Sequence, residues 1–195
     1  MRPAPAIVIL AAGASSRMRG DDKLLQPVAG TPLILRVVRM ACAACADVTV
    51  VLPKGDTSRR AWLGDTPARL IEVEAREMSA SLRAGVAACT ADAMMVVLAD
   101  MPEVTGDDLW TLITAWRNST AGILRATGAD GTPGQPVIFA RSLFAALQDL
   151  TGDEGARRLL RDHEVTHVPL PARDALTDLD TPEDWADWRA ANPDA

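Results

Sequence analysis

Short, almost purely apolar runs alternate along this 195-residue chain with longer segments in which apolar residues recur every three or four positions. The first kind reads as strands buried on both faces and the second as amphipathic helices. Their alternation is the pattern of an α/β protein with a mostly parallel sheet. Strands are expected near Ala6–Ala12, Val48–Leu52, Leu70–Val73, Met94–Ala99, Gly122–Ala126, Pro136–Ala140 and His167–Leu170. The helices between them are expected at Leu33–Cys45, Thr57–Leu63, Ser79–Ala88, Leu109–Trp116, Ser142–Leu150, Glu154–Asp162 and Pro182–Ala190. Two helix starts are explicit. Thr105 precedes Asp107 and Asp108, and Thr181 precedes Pro182 with Asp184 three residues after the cap, so acids lie near the positive helix end. The stretch Ala126–Pro136 is rich in turn formers and reads as a mobile loop of the kind that borders ligand sites.

No repeat, low-complexity tract or linker divides the chain, so one domain over residues 1–195 is expected, long enough to bury roughly 70 % of its unfolded surface. A formal charge of −6 disfavours a nucleic-acid scaffold. It also means that an anionic ligand must be met by locally concentrated cations or by a divalent metal. Arg2 and the apolar run from Ala6 to Ala12 imitate a secretory leader, but the run is short, follows Pro3 and Pro5, and leads straight into Arg17 and Arg19. A first buried strand explains the same residues. No run approaches the ~18 apolar residues of a membrane span, so a cytoplasmic protein is expected.

The chemistry begins where that first strand ends. Ala11, Ala12, Gly13 and Ala14 have almost no side chain, so the backbone there can approach a base, a ribose or a phosphate closely. Arg17 adds a planar fork of donors and Lys23 a mobile point charge, a pairing suited to a triphosphate. The spacing excludes two familiar phosphate loops. Lys23 is followed by Leu24, which breaks the Walker pattern, and Gly13 has no glycine two or five positions later, which breaks the dinucleotide pattern. A second strand, Val96-Val97-Leu98-Ala99, runs into Asp100 and is stopped by Met101-Pro102. An acid at the carboxyl end of a parallel strand is placed to hold Mg²⁺, or else to cap a helix or order a loop. Asp178 and Asp180, just before the last helix, are candidates for a second carboxylate on that metal or for helix N-terminal acids. Ser79 and Ser81 at the start of a helix suit a nucleobase edge or ribose, or simple capping.

Two literal motif matches are set aside. His163-Glu164-Val165-Thr166-His167 spells a zinc-protease motif, but β-branched residues and Pro169 oppose the helix it requires, and the chain has no third histidine. Cys42 and Cys45 lie late in a small-residue helix with no second pair, and with Cys89 they read as buried thiols. Trp185 and Trp188 read as a packing stripe.

The segment L-A-A-G-x-S-x-R-M from Leu10, with the following lysine, resembles the opening motif of the molybdenum cofactor cytidylyltransferase family, within the nucleotidyltransferases of Rossmann-like fold. Met78–Gly85, Leu98–Pro102, Gly134–Val137, Gly152–Arg157 and Asp178–Asp184 are similar to that family's later motifs, in its order. One departure is visible: Arg19 intervenes between Met18 and Gly20, which would set Lys23 one residue out of register. The resemblance implies a single-domain three-layer α/β/α fold with a mostly parallel mixed sheet. It implies Mg²⁺-dependent transfer of CMP from CTP to the phosphate of a molybdenum-bound pterin, with pyrophosphate released and a molybdoenzyme or its chaperone as a further partner. By resemblance, Arg17, Lys23 and Asp100 are catalytic. Leu10, Ala11, Ala12, Gly13, Ser79, Ser81 and Gly85 bind the nucleotide, while Gly134, Gln135, Pro136, Gly152, Asp153 and Gly155 face the acceptor. Asp100 and Asp180 hold the metal. The related guanylyltransferases carry two glycines where this chain has Ala12-Gly13, which favours CTP over GTP. A sugar or alditol phosphate acceptor, and a non-catalytic nucleotide- or cofactor-binding module, remain as alternatives; a strand-end carboxylate at Asp100 weighs against the second.

Overall fold

A computed structural model of the chain describes residues 1–75, 77–152 and 156–193. Its strands and helices follow in the order β1 (Ala6–Leu10), β2 (Pro27–Val28), β3 (Thr31–Pro32), α1 (Leu33–Ala44), β4 (Val48–Pro53), α2 (Thr57–Leu63), β5 (Arg69–Val73) and α3 (Met78–Ala88). They continue through β6 (Ala93–Leu98), α4 (Gly106–Arg117), β7 (Ile123–Thr127), β8 (Pro133–Ala140), α5 (Phe144–Gln148), α6 (Arg157–Asp162), β9 (Val165–Pro169) and α7 (Pro182–Ala191). Seven strands form one sheet in the order β5-β4-β1-β6-β8-β7-β9. Only β8 runs against its neighbours, so the sheet is mixed but mostly parallel.

Alternate residues of β1 serve opposite cores, which is why the strand reads as an unbroken apolar run. Ile7 and Ile9 pack with α1, α4 and α7, whereas Ala6 and Val8 pack with α3, α5 and α6. The result is the expected α/β/α Rossmann-like layering. Both anticipated caps are present: the Thr105 and Thr181 hydroxyls accept the Asp108 and Asp184 amides, and each aspartate reaches back to its cap's backbone N–H. Trp185 and Trp188 meet edge to face at 6.1 Å inside the core. Among the described residues no helix is long and apolar enough to cross a membrane.

Three expectations change. The first strand ends at Leu10 rather than Ala12, because the chain turns off the sheet once the Ala11 amide has donated to Val51. The supposed mobile loop is reduced to residues 128–132, tied by Gly131 N–H to Gly128, Ala129 N–H to Ala172 and Thr132 N–H to the Asp130 carboxylate. Gly134, Gln135 and Pro136 lie in strand β8, with a cis bond before Pro136. Prolines are tolerated there because β6 pairs only with Val137–Ala140, so residues 133–136 need satisfy one neighbour alone. The β2–β3 hairpin was not expected. Its turn places Ala29 and Gly30 at φ of 47° and 73°, a primed-turn geometry usually announced by Asn-Gly.

Gly85 marks the closest approach of α3 to the sheet. A Cβ there would lie 2.5 Å from Cγ1 of Val8, a branched side chain fixed on a central strand. Gly85→Ala is therefore expected to cost about 1–3 kcal/mol by overpacking, and Val8→Ala in the same chain to restore part of that loss. Urea midpoints of the single and double variants check both.

Candidate active site

The pairing of Leu10 with Leu98 brings the carboxyl ends of β1 and β6 side by side, and Ala99 N–H donates to the Leu10 carbonyl to hold them there. After β1 the chain has gone to β4 on one flank, and β6 returns to the other flank. The gap between their ends is thus the switch point at which open α/β sheets bind ligands. A third segment crosses this opening before α7: Leu179 N–H donates to the Asp100 carbonyl, which delivers Asp180 to the same place.

Four side chains from these segments interlock. Lys23 Nζ donates to Asp100 Oδ2 at 2.5 Å and to Asp180 Oδ1 at 2.6 Å, and Arg17 forms an ion pair with Asp180 Oδ2 at 2.7 Å. The Lys23 side chain is 12 % exposed and that of Arg17 66 %, so the lysine is the buried centre of the group and the arginine its exposed rim. Burial pulls the Lys23 ammonium down, but the charges and hydrogen bonds of Asp100 and Asp180 outweigh it and leave the lysine above its usual value. The second oxygen of Asp100, Oδ1, is buried without a partner among the described residues. Asp178 stands beside this cluster. Burial pushes its carboxyl up, and the charges of Asp180 and Asp100 push the same way.

The extra residue at Arg19 does not displace Lys23. Arg19 and Gly20 take up left-handed conformations, with φ of 55° and 109°, and that kink absorbs the insertion. Asp22 then caps a single 3-10 turn by accepting the Leu24 amide, and Lys23, its first residue, points into the cluster. Arg19 itself turns outward to an exposed pair with Glu183.

Leu10, Ala11, Ala12, Gly13, Arg17, Lys23, Ser81, Asp100 and Asp180 all line one cleft of about 530 Å³. Gly134 and Gln135 line an adjoining pocket of about 300 Å³. Of the remaining expected residues, those that the structure describes are not on these walls. Ser79 is fully buried; Ser81, two residues on, faces the cleft instead. Gly85 lies under α3 against Val8, which is a packing reason for glycine. Pro136 is buried and Gly152 is an exposed turn residue at φ 69°. Asp153 and Gly155 lie outside the described residues. Gly134 also has a packing role, since a Cβ there would overlap the Ala175 carbonyl that accepts the Gln135 amide.

Three residues on or behind these walls were given no role from sequence, although Arg157 ends one of the quoted motifs. Arg157 lines both the cleft and the pocket. Arg125 lines the pocket and donates to the Gly134 carbonyl at 2.8 Å; burial and the neighbouring Arg157 cation draw its pKa down. A charged residue inside the otherwise apolar run of β7 was the available signal for Arg125. The third is Arg59, buried behind the loop after β1, for which the sequence offers no signal.

The profile of the MobA-like NTP transferase domain matches residues 7–168. The chain belongs to this family. It is 30 % identical over 194 residues to the purine catabolism protein PucB of Bacillus subtilis, covering 91 % of this chain and 92 % of that protein. It is 34 % identical over 161 residues to the molybdenum cofactor guanylyltransferase of Burkholderia orbicola, covering 80 % and 77 %. Among solved structures, Rv0371c of Mycobacterium tuberculosis superposes with a TM-score of 0.84 at 27 % identity, over 96 % of this chain and 98 % of that one, and it has also been solved in complex with manganese. The protein is therefore a nucleotidyltransferase of the MobA-like family.

The two set-aside motifs have no place in this nucleotidyltransferase site. His163 caps the end of α6, its Nδ1 3.0 Å from the Leu159 carbonyl, while His167 lies in β9. Cys42, Cys45 and Cys89 are free thiols. Among the described residues no three His, Cys, Asp or Glu side chains are grouped so as to hold a metal by themselves. His163→Ala and His167→Ala should leave turnover unchanged and the purified protein free of stoichiometric zinc, as elemental analysis would show. Arg17→Ala and Asp100→Ala should each lower pyrophosphate release by roughly 10²-fold or more at unchanged circular dichroism. Arg19→Ala, which breaks only an exposed pair, should stay within about threefold of the parent.

Proposed function

We propose that this protein transfers CMP from CTP to the phosphate of a molybdenum-bound pterin and releases pyrophosphate. The observation that carries the reading is the convergence in one cleft of the small-residue loop at Leu10–Gly13, the cations Arg17 and Lys23, and the carboxylates Asp100 and Asp180, beside a pocket walled by Arg125 and Arg157. The loop and Ser81 would take the base and ribose. The pocket, apolar except for its guanidiniums, Gln135 and the Asp178 carboxyl at the border with the cleft, suits a flat ring system carrying an anionic group, and Arg157 at the junction suits the phosphate that must reach the donor.

The charges of the cleft support a divalent cofactor. Arg17, Lys23 and Arg157 are matched there by Asp100, Asp178 and Asp180, so the protein alone offers a triphosphate no net neutralisation. The donor set fits Mg²⁺: hard carboxylate oxygens, one of them, Asp100 Oδ1, buried and unpaired. Asp100 and Asp180 would hold the ion, with phosphate oxygens and waters completing its shell. Bound there, Mg²⁺ would supply charge neutralisation of the triphosphate, a role consistent with the manganese complex of Rv0371c. An oxygen of the acceptor phosphate, already ionised near pH 7, attacks the α-phosphorus in line, and the bond to the β-phosphate oxygen breaks. Arg17 neutralises charge on the departing pyrophosphate. Lys23, kept protonated by its two carboxylates, holds Asp100 and Asp180 in place and offers its remaining proton to the triphosphate.

Transfer of GMP is the second reading, favoured by the name of the Burkholderia relative. The two diverge at Ala12, whose buried methyl narrows the loop where the notion of a purine-accepting Gly-Gly would leave space. With Mg²⁺ and the pterin acceptor, CTP should be consumed about 10- to 200-fold faster than GTP, and Ala12→Gly should relax that ratio. Pyrophosphate release from each of the four nucleotides measures it. Faster use of GTP by the parent protein would establish the guanylyl reading instead.

A further inference from the structure

Behind the cleft lies a guanidinium whose five donor positions are almost all engaged. Arg59, on α2, has a side chain only 5 % exposed and does not line the cleft. One terminal nitrogen donates to the Ala11 carbonyl at 2.5 Å, and the other to the Gly13 carbonyl at 3.0 Å and to Asp22 Oδ1 at 3.0 Å. Its Nε donates to Asp22 Oδ2 at 2.7 Å, with Asp56 Oδ2 at 3.4 Å. The two carbonyls belong to the loop proposed to read the nucleotide, and Asp22 caps the turn from which Lys23 projects. Ser15 reinforces the junction, donating to Asp22 and accepting the Lys23 amide.

We infer that Arg59 is a positioning residue of the nucleotide site, one that sets the loop after β1 and the Lys23 turn in register with each other. The inference rests on the nucleotidyltransferase reading of the cleft. The Ala11 N–H is already committed to Val51, so Arg59, by taking the Ala11 and Gly13 carbonyls, leaves the peptide groups of Ala12 and the Gly13 N–H as the loop's open hydrogen-bonding groups. A planar fork is what this geometry demands: two carbonyls and both oxygens of one carboxylate lie around a single plane of donors. Lysine keeps the charge at that place but cannot serve four acceptors at once. A merely structural ion pair would need only Asp22 and Asp56. The contacts to the loop carbonyls are what direct the arrangement at the nucleotide.

The test compares Arg59→Lys and Arg59→Ala with the exposed neighbour variant Arg60→Ala, which breaks only a surface pair with Glu72. In the nucleotide-free protein, amide hydrogen exchange over residues 11–24 should accelerate roughly 10- to 100-fold in Arg59→Lys, on the scale of the charged hydrogen bonds lost, with the rest of the sheet unchanged. The KM for the nucleoside triphosphate should rise by a similar factor. Guanidinium chloride at about 10 mM should recover part of the Arg59→Ala turnover where ammonium at the same ionic strength does not, because only the planar cation reproduces the fork. Arg60→Ala should match the parent in every measurement. Unchanged exchange over residues 11–24 in a folded Arg59→Lys protein would overturn the inference, whatever the enzyme's substrate. So would a loss of turnover with unchanged KM. If Arg59→Ala fails to fold, Arg59→Lys decides the question alone. A parent protein that turns over no nucleotide would defeat the functional reading, while the exchange measurement would still judge the role of Arg59.

Discussion

A protonated lysine held between two carboxylates is the interaction on which this site depends, because its three members come from residues 23, 100 and 180 and one ammonium contacts both acids. Each element around it is placed by the sheet, but only Lys23 converts three adjacent chain ends into one charged cluster. Burial works against the ammonium and the two aspartates overcome that penalty, so the folded protein holds the proton more tightly than the unfolded chain does. The sign follows from linkage: the stabilisation is complete below the pKa of an unfolded lysine and is lost only as pH rises through the higher folded value. Across neutral pH Lys23 therefore keeps its proton.

Such a cluster needs a rigid base, and the strands provide it by being buried on both faces. Their helices sit close enough that glycine is required at particular points. At Gly85 the helix α3 rests on Val8, one turn of strand below Leu10; at Gly134 strand β8 rests on the Ala175 carbonyl. Both glycines stand in motifs that read as ligand-binding, and both are explained by close packing that fixes a neighbouring wall. The distinction matters for interpreting variants, since losing either glycine would move the site without removing any group that touches substrate.

What was legible in the sequence was whatever rests on periodicity or on chain direction. Buried strands announce themselves, a small-residue loop after β1 can have few purposes, and an aspartate that ends β6 must lie at the ligand edge of a parallel sheet. Individual orientation was not legible. Ser79 and Ser81 look equivalent in a motif, yet a helix turns about 200° in two residues, so one faces the core and the other the cleft. Arg59 was invisible because its partners are backbone carbonyls 46 and 48 residues away, and a local pattern contains no trace of them. The insertion at Arg19 illustrates the converse: a break in a linear motif is harmless where the backbone can take up the extra residue in a left-handed kink.

The segment from Ala172 to Thr181 connects the two halves of the site mechanically. Its first residue accepts the Ala129 amide from the β7–β8 hairpin, Ala175 accepts the Gln135 amide of β8, and Leu179 donates to Asp100 beside the cleft. Ala175, Leu176 and Asp178 wall the pocket, while Asp178 and Asp180 wall the cleft. Only Thr177 separates the last hydrophobic wall of the pocket, Leu176, from the first carboxylate of the cleft, Asp178. The residues that wall the pocket therefore lie on the same short stretch of backbone that sets Asp180 against Lys23 and Arg17. The segment thus ties a wall of the pocket to the carboxylates of the cleft through a run of turns held by the main-chain hydrogen bonds of Ala172, Ala175 and Leu179.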